Sequence, residues 1–311
     1  MDAMQQVSNP DKRIAVVLST YNGADHLCEQ IDSIFDQVLP GGWSLELYVR
    51  DDGSTDGTLD ILARYAAQDK LHYESGSNVG VVRSFLSLVK DVPSSVQYLC
   101  FADQDDVWHV DKVARAVDVI ESSRLTGPVL YASEYVFCDA NLNKTSHSRL
   151  NKSGVNFSKM LYENVVSGNT VVINRPLIDL VRHTSVEDVY CHDWWVALLA
   201  AATGEILYDT SYYSLDYRRT GSNASATGAG SISILRNRVR RFLKGGELQL
   251  VSRQLMALRR DYVDYIRDDK LETLDRFVGE SRISKAVYPR RLRQTLCGEL
   301  MVRMLFIFGR L

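Results

Sequence analysis

Between residues 14 and 120 a short apolar run, a polar loop and a helical pattern follow one another four times, and this alternation constrains the fold more than any other feature of the chain. Residues 14–19 (IAVVLS), 45–49 (LELYV), 71–74 and 97–102 (QYLCFA) read as strands. The first has no polar break before Ser19, as expected of a strand covered on both faces. Helical spacing follows: Leu27, Ile31, Ile34, Phe35 and Val38; Leu59, Leu62, Ala63 and Ala66 over 57–67; then 80–90; then Val113, Val117 and Ile120. Short connections of this kind predict an α/β fold, a mostly parallel sheet flanked by helices. Such sheets bind ligands beyond the carboxyl ends of their strands. The loops at 20–23, 51–54, 76–80 and 103–106 are therefore expected to line one crevice.

The later pattern is less regular. Residues 129–137 read as a strand, 141–154 as a polar loop, TVVIN (170–174) as a strand, and 175–183 and 192–202 as helices. EILYD (205–209) and YSLDYR (213–218) are two strand candidates. The small, flexible stretch GSNASATGAGS (221–231) marks a boundary, which divides the chain into 1–225 and a helical extension, 226–311.

With 311 residues, 45% hydrophobic and 24% charged, the chain can bury one large core or two modest ones. No apolar run reaches the roughly 18 residues of a membrane-spanning helix. The polar N-terminus lacks an apolar signal core, so a cytoplasmic location is expected. Cys28, Cys100, Cys138, Cys191 and Cys297 are odd in number and widely spaced, without a CxxC. They are expected to be reduced, buried thiols, neither disulfide-bonded nor zinc-binding.

Four motifs sit where chemistry is expected. Asp103, Gln104, Asp105 and Asp106 follow a strand, and three carboxylates in four residues repel one another unless a cation or donors lie among them. Asp103 and Asp105 together suit Mg²⁺ or Mn²⁺; the alternative is a helix cap, for which one Asp suffices. Asp52, in DDG after the second strand, can accept from an imide N–H or serve a turn. Gly76–Gly80 (GSNVG) permits close backbone approach to phosphate, although neither GxGxxG nor a P-loop is present. Asp193, in HDWW, is a candidate general base beside Trp194 and Trp195, which could offer an apolar face to a sugar or pack inward. Glu187 and Asp188 are rival bases, and Asp193 could equally be a cap.

The ordered set STYNG (19–23), DDGSTDGT (51–58), SNVG (77–80), FADQDDVW (101–108), SGNTVVIN (167–174), HDWW (192–195) and YRRTGSN (217–223) resembles the inverting family-2 glycosyltransferases of the GT-A fold, in particular their bacterial rhamnosyltransferase-like branch. The resemblance spans about residues 13–223. It implies that Thr20, Tyr21, Asn22, Asp52, Asn78, Gly80, Gln104 and Arg218 bind the nucleotide-sugar donor, a dTDP- or UDP-sugar. It further implies that Asp103 contacts ribose or the metal, that Asp105 binds Mg²⁺ or Mn²⁺, that Asp193 is the base, that Trp194 or Trp195 shapes the sugar pocket, and that Gly168 and Asn169 lie near the donor sugar or the acceptor. The implied acceptor is a glycan or a polyprenyl-linked glycan. The chain departs from the branch at Thr220, where His is usual, and at His109 and Val110, where Leu-Pro is frequent. A sugar-phosphate nucleotidyltransferase is disfavoured because STYNGADH lacks a basic triphosphate loop. A catalytically inactive sugar-nucleotide or glycan-binding module is the remaining alternative.

Charge is unevenly spread. Residues 231–311 carry 18 Lys and Arg against 9 Asp and Glu, a net +9, while the rest of the chain carries −12. From about 287 onward Arg alternates with apolar residues, which suggests a basic helix against a membrane surface, a core-packing helix or a homodimer contact. No nucleic-acid partner is expected.

Overall fold

The structure is a computed structural model that describes residues 12–219 and 246–311. Among the described residues nine strands form one sheet: β1 (Arg13–Thr20), β2 (Ser44–Asp51), β3 (Leu71–Ser75), β4 (Val96–Ala102), β5 (Val107–Trp108), β6 (Val129–Cys138), β7 (Lys144–His147), β8 (Val172–Asn174) and β9 (Glu205–Arg218). Their order is β3–β2–β1–β4–β8–β6–β9–β5, with β7 beside β6. The half built from the four-fold alternation is parallel throughout, β3–β2–β1–β4. The other half is mixed. The short β8 runs antiparallel to both β4 and β6, β9 is parallel to β6, and β5 and β7 are antiparallel to their neighbours.

Alternation along β1 explains why both faces are covered. Ala15 and Val17 face one core, and Ile14, Val16 and Leu18 face the other. The second core is closed by α1 (Leu27–Phe35), α2 (Thr58–Ala66) and α4 (Lys112–Ser122), through Leu27, Ile31, Ile34, Leu62, Val113 and Val117. The first core takes α3 (Val81–Asp91), α5 (Phe157–Met160), α6 (Arg175–Arg182) and α7 (His192–Thr203). The C-terminal helices add to that same core: α8 (Gly246–Tyr262), α9 (Asp268–Gly279), α10 (Arg282–Ala286) and α11 (Leu296–Ile307) contribute Leu255, Leu258, Tyr262, Phe277, Ala286 and Phe306. No described helix is long and apolar enough to cross a membrane.

Three details differ from the sequence reading. EILYD and YSLDYR are one strand, because β9 keeps pairing with β6 on both sides of a bulge: Ser133 pairs with Asp209, and Glu134 already with Tyr213. The polar 141–154 stretch contains β7, which pairs with β6 through Val136 and His147. The cysteines are free but not uniformly buried, since Cys297 is exposed on α11 and Cys191 lines a cleft.

The turn from α7 into β9 is close-packed. Glu205 N donates to Pro128 O at 3.0 Å, and a Cβ on Gly204 would lie 1.8 Å from that same carbonyl oxygen. Gly204→Ala must therefore open the start of the β6–β9 pairing. It should lower the urea midpoint by the equivalent of about 1–3 kcal/mol, the usual range for overpacking; an unchanged midpoint would show that the turn relaxes without loss.

Candidate functional site

A cleft of about 490 Å³ opens where the carboxyl ends of β1, β2 and β4 meet the start of α7. That size is ordinary for a small-molecule site. Ser19, Tyr21, Asp52, Asn78, Gly80 and Val81 line one side, and Asp103, Gln104 and Asp105 line the floor. Ser167, Gly168, Cys191, His192 and Asp193 close the other side, with Phe85 and Tyr217.

The loops are stitched to each other by their polar side chains. Gln104 Oε1 accepts from Thr20 Oγ1 and from Tyr21 N, both at 2.8 Å, which ties the β1 loop to the β4 loop. Thr20 is thereby buried beneath the cleft, while Tyr21 stays exposed in it. Asn22, at φ 49°, donates its N–H to Ser54 Oγ and accepts from Thr55 N through Oδ1, each at 2.8 Å. It joins the β1 and β2 loops and does not line the cleft. Asp52 accepts from Val79 N and Gly80 N at 2.8 Å and pairs with Arg50. It thus shapes the 78–80 turn, at whose end Gly80 takes φ 85°.

The acidic floor rests on a buried polar bridge. Asp106 accepts from Asn169 Nδ2 at 2.5 Å and from Arg218 N at 3.3 Å. Lys112, fully buried, donates to Asn169 O, with its ammonium 3.4 Å from the centroid of the Trp108 ring. Burial, and then the nearby charges of Asp105 and Asp193, push the Asp103 carboxyl up to about 7. Burial also raises Asp105, while His26 and Arg218 oppose the rise. Asp106 is raised by burial and by Asp103 and Asp105. Burial drives the Lys112 ammonium down to about 7. Among the described residues no group of three or more His, Cys, Asp or Glu is arranged to hold a metal ion by itself.

Asp193 stands in the first turn of α7, facing Gly168. A Cβ on Gly168 would come within 3.1 Å of Asp193 Cβ and 3.2 Å of His192 Nε2, so glycine keeps that approach open. Asp193 Oδ1 accepts from Trp194 N at 2.6 Å and from Cys191 Sγ at 2.8 Å. The rival bases are engaged elsewhere and do not line the cleft: Glu187 pairs with Arg83 at 2.7 Å and Asp188 with Arg260 at 3.1 Å.

Four expected contacts are corrected. Trp194 and Trp195 do not offer a face to the cleft. Both rings are buried, with Trp194 Nε1 donating to Met160 O at 2.6 Å and Trp195 Nε1 to Thr184 Oγ1 at 2.9 Å. Asn169, expected near the donor sugar or the acceptor, adjoins the cleft-lining Gly168 but does not line the cleft, because its amide is spent on the buried bridge and on Ser167 Oγ. The Arg218 guanidinium binds Asp105 O, Ala140 O and Glu29, so it holds the acidic loop from behind and does not face the cleft. Thr220 lies outside the described residues. Conversely, the sequence reading passed over Phe85, Ser167, Lys112 and Tyr217. Lys112 opens an amphipathic helix, where a lysine ordinarily points to water.

The family model described as Glycosyl transferase family 2 matches residues 15–180. The dTDP-rhamnosyl transferase RfbG of Shigella flexneri is 27% identical over 221 residues, 66% of this chain and 72% of that protein. The UDP-Glc:alpha-D-GlcNAc-diphosphoundecaprenol beta-1,3-glucosyltransferase WfaP of Escherichia coli is 23% identical over 206 residues, 64% of this chain and 76% of that one. The crystal structure of S. aureus TarS 1-349 in complex with UDP-GlcNAc superposes with a TM-score of 0.58 at 16% identity, covering 96% of this chain and 92% of that one.

His192 stacks on Phe85, with ring centroids 4.2 Å apart, and burial lowers its pKa while Asp193 acts in the opposite direction. The unfolded chain therefore takes up a proton near the ordinary His value, about 6.5, that the folded chain refuses. Below that pH the unfolded state binds more protons, so this residue's contribution makes stability fall as pH falls. His192→Gln should lose less Tm between pH 7 and pH 5 than the parent does. Parallel Tm profiles for the two proteins would refute a buried neutral imidazole.

Proposed function

The chain belongs to glycosyl transferase family 2 and is a glycosyltransferase of the GT-A fold, and within that family we propose that it moves L-rhamnose from dTDP-rhamnose onto a bacterial surface polysaccharide or lipid-linked glycan. The observation that carries the mechanism is the meeting of Asp193 with Asp103 and Asp105 in one cleft, although the two motifs lie far apart in sequence. The rhamnosyl donor rests on the likeness to RfbG, and the lipid-linked acceptor on the likeness to WfaP. WfaP also supports a second reading, a UDP-hexose donor.

In this reading the base and ribose of the donor lie along Tyr21, Asp52, Asn78 and Gly80. Asp52 makes three hydrogen bonds to protein donors, and a carboxylate offers about four lone-pair sites, so one remains for a pyrimidine imide N–H. The diphosphate lies over Asp103 and Asp105. Asp103 and Asp105, two crowded carboxylates, are the residues that would hold a hard divalent cation there. When bound, Mg²⁺ or Mn²⁺ offsets the negative charge growing on the leaving group. Asp193 accepts the proton of an acceptor hydroxyl as that oxygen attacks the anomeric carbon from the face opposite the diphosphate. The new C–O bond forms as the bond to diphosphate breaks, and the configuration inverts. His192, neutral and stacked on Phe85, walls the cleft beside the base.

Asp193→Asn keeps an acceptor oxygen for Trp194 N and removes the base. Turnover should fall roughly a hundred- to ten-thousandfold with donor affinity unchanged; loss of both would reduce Asp193 to a structural element. Calorimetric titration of dTDP and UDP, each with Mg²⁺ and with EDTA, tests the donor. Metal-dependent preference for dTDP is expected, and preference for UDP would replace rhamnose by a hexose. Asp105→Ala should abolish the Mg²⁺ effect on that affinity. An unaltered effect would remove Asp105 from the metal site.

A further inference from the structure

The C-terminal end of the chain presents a surface that the cleft does not use. On α11, Leu296, Leu300, Met304 and Ile307 recur at helical spacing within roughly an 80° arc, and Phe308 continues the stripe beyond its last residue. The opposite side of the helix is buried through Glu299, Val302 and Phe306. Ile283 on the neighbouring α10 and Val287 just after it are exposed as well, and α10 packs against α11. These seven large apolar residues are 54–72% exposed. Contiguous exposed apolar surface of this kind marks a binding face.

The charges around it identify the partner. From Ser281 to Leu311 the sequence holds seven Lys and Arg and one acid, Glu299. That acid is buried: Oε2 accepts from Leu292 N at 2.7 Å and Arg293 N at 2.9 Å, and Oε1 pairs with Arg303. Arg282, Arg290 and Arg310 are exposed. The surface therefore shows apolar side chains and an excess of positive charge; the exposed carboxylate that touches it, Glu280, is held by Ser284 Oγ and paired with Arg276. A second copy docked face to face would set arginines against arginines. A bilayer with anionic headgroups satisfies both features, since the apolar stripe enters the headgroup–acyl boundary and the arginines meet phosphate. We infer that α10 and α11 form a docking surface for an anionic phospholipid membrane. Residues 1–230 carry −12, so that part of the chain is repelled by the same surface, and docking is confined to this end.

The test uses the full chain and does not depend on the sugar donor or acceptor. It should co-sediment with vesicles of phosphatidylglycerol and phosphatidylethanolamine, far less with phosphatidylcholine alone, and less as salt is raised. The triple variant Leu300→Gln/Met304→Gln/Ile307→Gln replaces exposed residues by another good helix former, so its far-UV circular dichroism and Tm should match the parent. Its vesicle partitioning should fall more than tenfold, and Arg310→Gln should cost about fivefold. Failure of the parent to bind anionic vesicles, or equal binding by the folded triple variant, overturns the inference. So does a dimer in sedimentation velocity that the triple variant dissociates while vesicles are ignored.

Discussion

The buried bridge of Asp106, Asn169 and Lys112 is the constraint on which the cleft depends. It joins four parts of the chain that are remote in sequence: the loop after β4, the start of α4, the turn before β8 and, through Arg218 N, the end of β9. A buried carboxylate and a buried ammonium are each unfavourable alone, and neither tolerates loss of its partners. The bridge therefore holds Asp106 in place, and with it the loop that carries Asp103 and Asp105. Arg218 completes the support from behind by holding the Asp105 carbonyl.

This support leaves the floor short of positive charge. Burial weakens the charged form of Lys112 just where Asp103, Asp105 and Asp106 gather, and Arg218 is already shared with Glu29. Asp193 adds a fourth carboxylate close enough to raise Asp103. Such a floor is crowded by its own charge until a proton or cation enters. A charge at Asp193 is thus felt at Asp103.

Much of the architecture was legible because it follows from local periodicity. The runs around Ile14, Leu45, Leu71 and Tyr98 became the four parallel strands, and the loops after them did converge. The mixed half was less legible. Its strands pair across long separations, and the three-residue β8 carries too few side chains to declare its direction. At the site, the sequence located the loops but not which way each side chain turns. Asn169, Arg218, Trp194 and Trp195 belong to the right motifs, yet each faces inward, because an amide, guanidinium or indole donor can satisfy a buried carbonyl or carboxylate as readily as a ligand. Lys112 was invisible for the converse reason: periodicity assigned its helix a wet face, and only tertiary pairing with Asn169 takes it inside.

A division of labour among motif residues follows. Those with both polar ends of the side chain used by the protein, such as Gln104 and Asn169, set distances between loops. Those with an end left toward the cleft, such as Tyr21, Asp103 and Asp193, are the ones through which the cleft can act. Substitution within the first set should move several side chains at once, whereas substitution within the second removes one group and leaves its neighbours in place. The motifs thus hold their order along the sequence for two separate physical reasons, and membership in a motif does not by itself say which reason applies to a given residue.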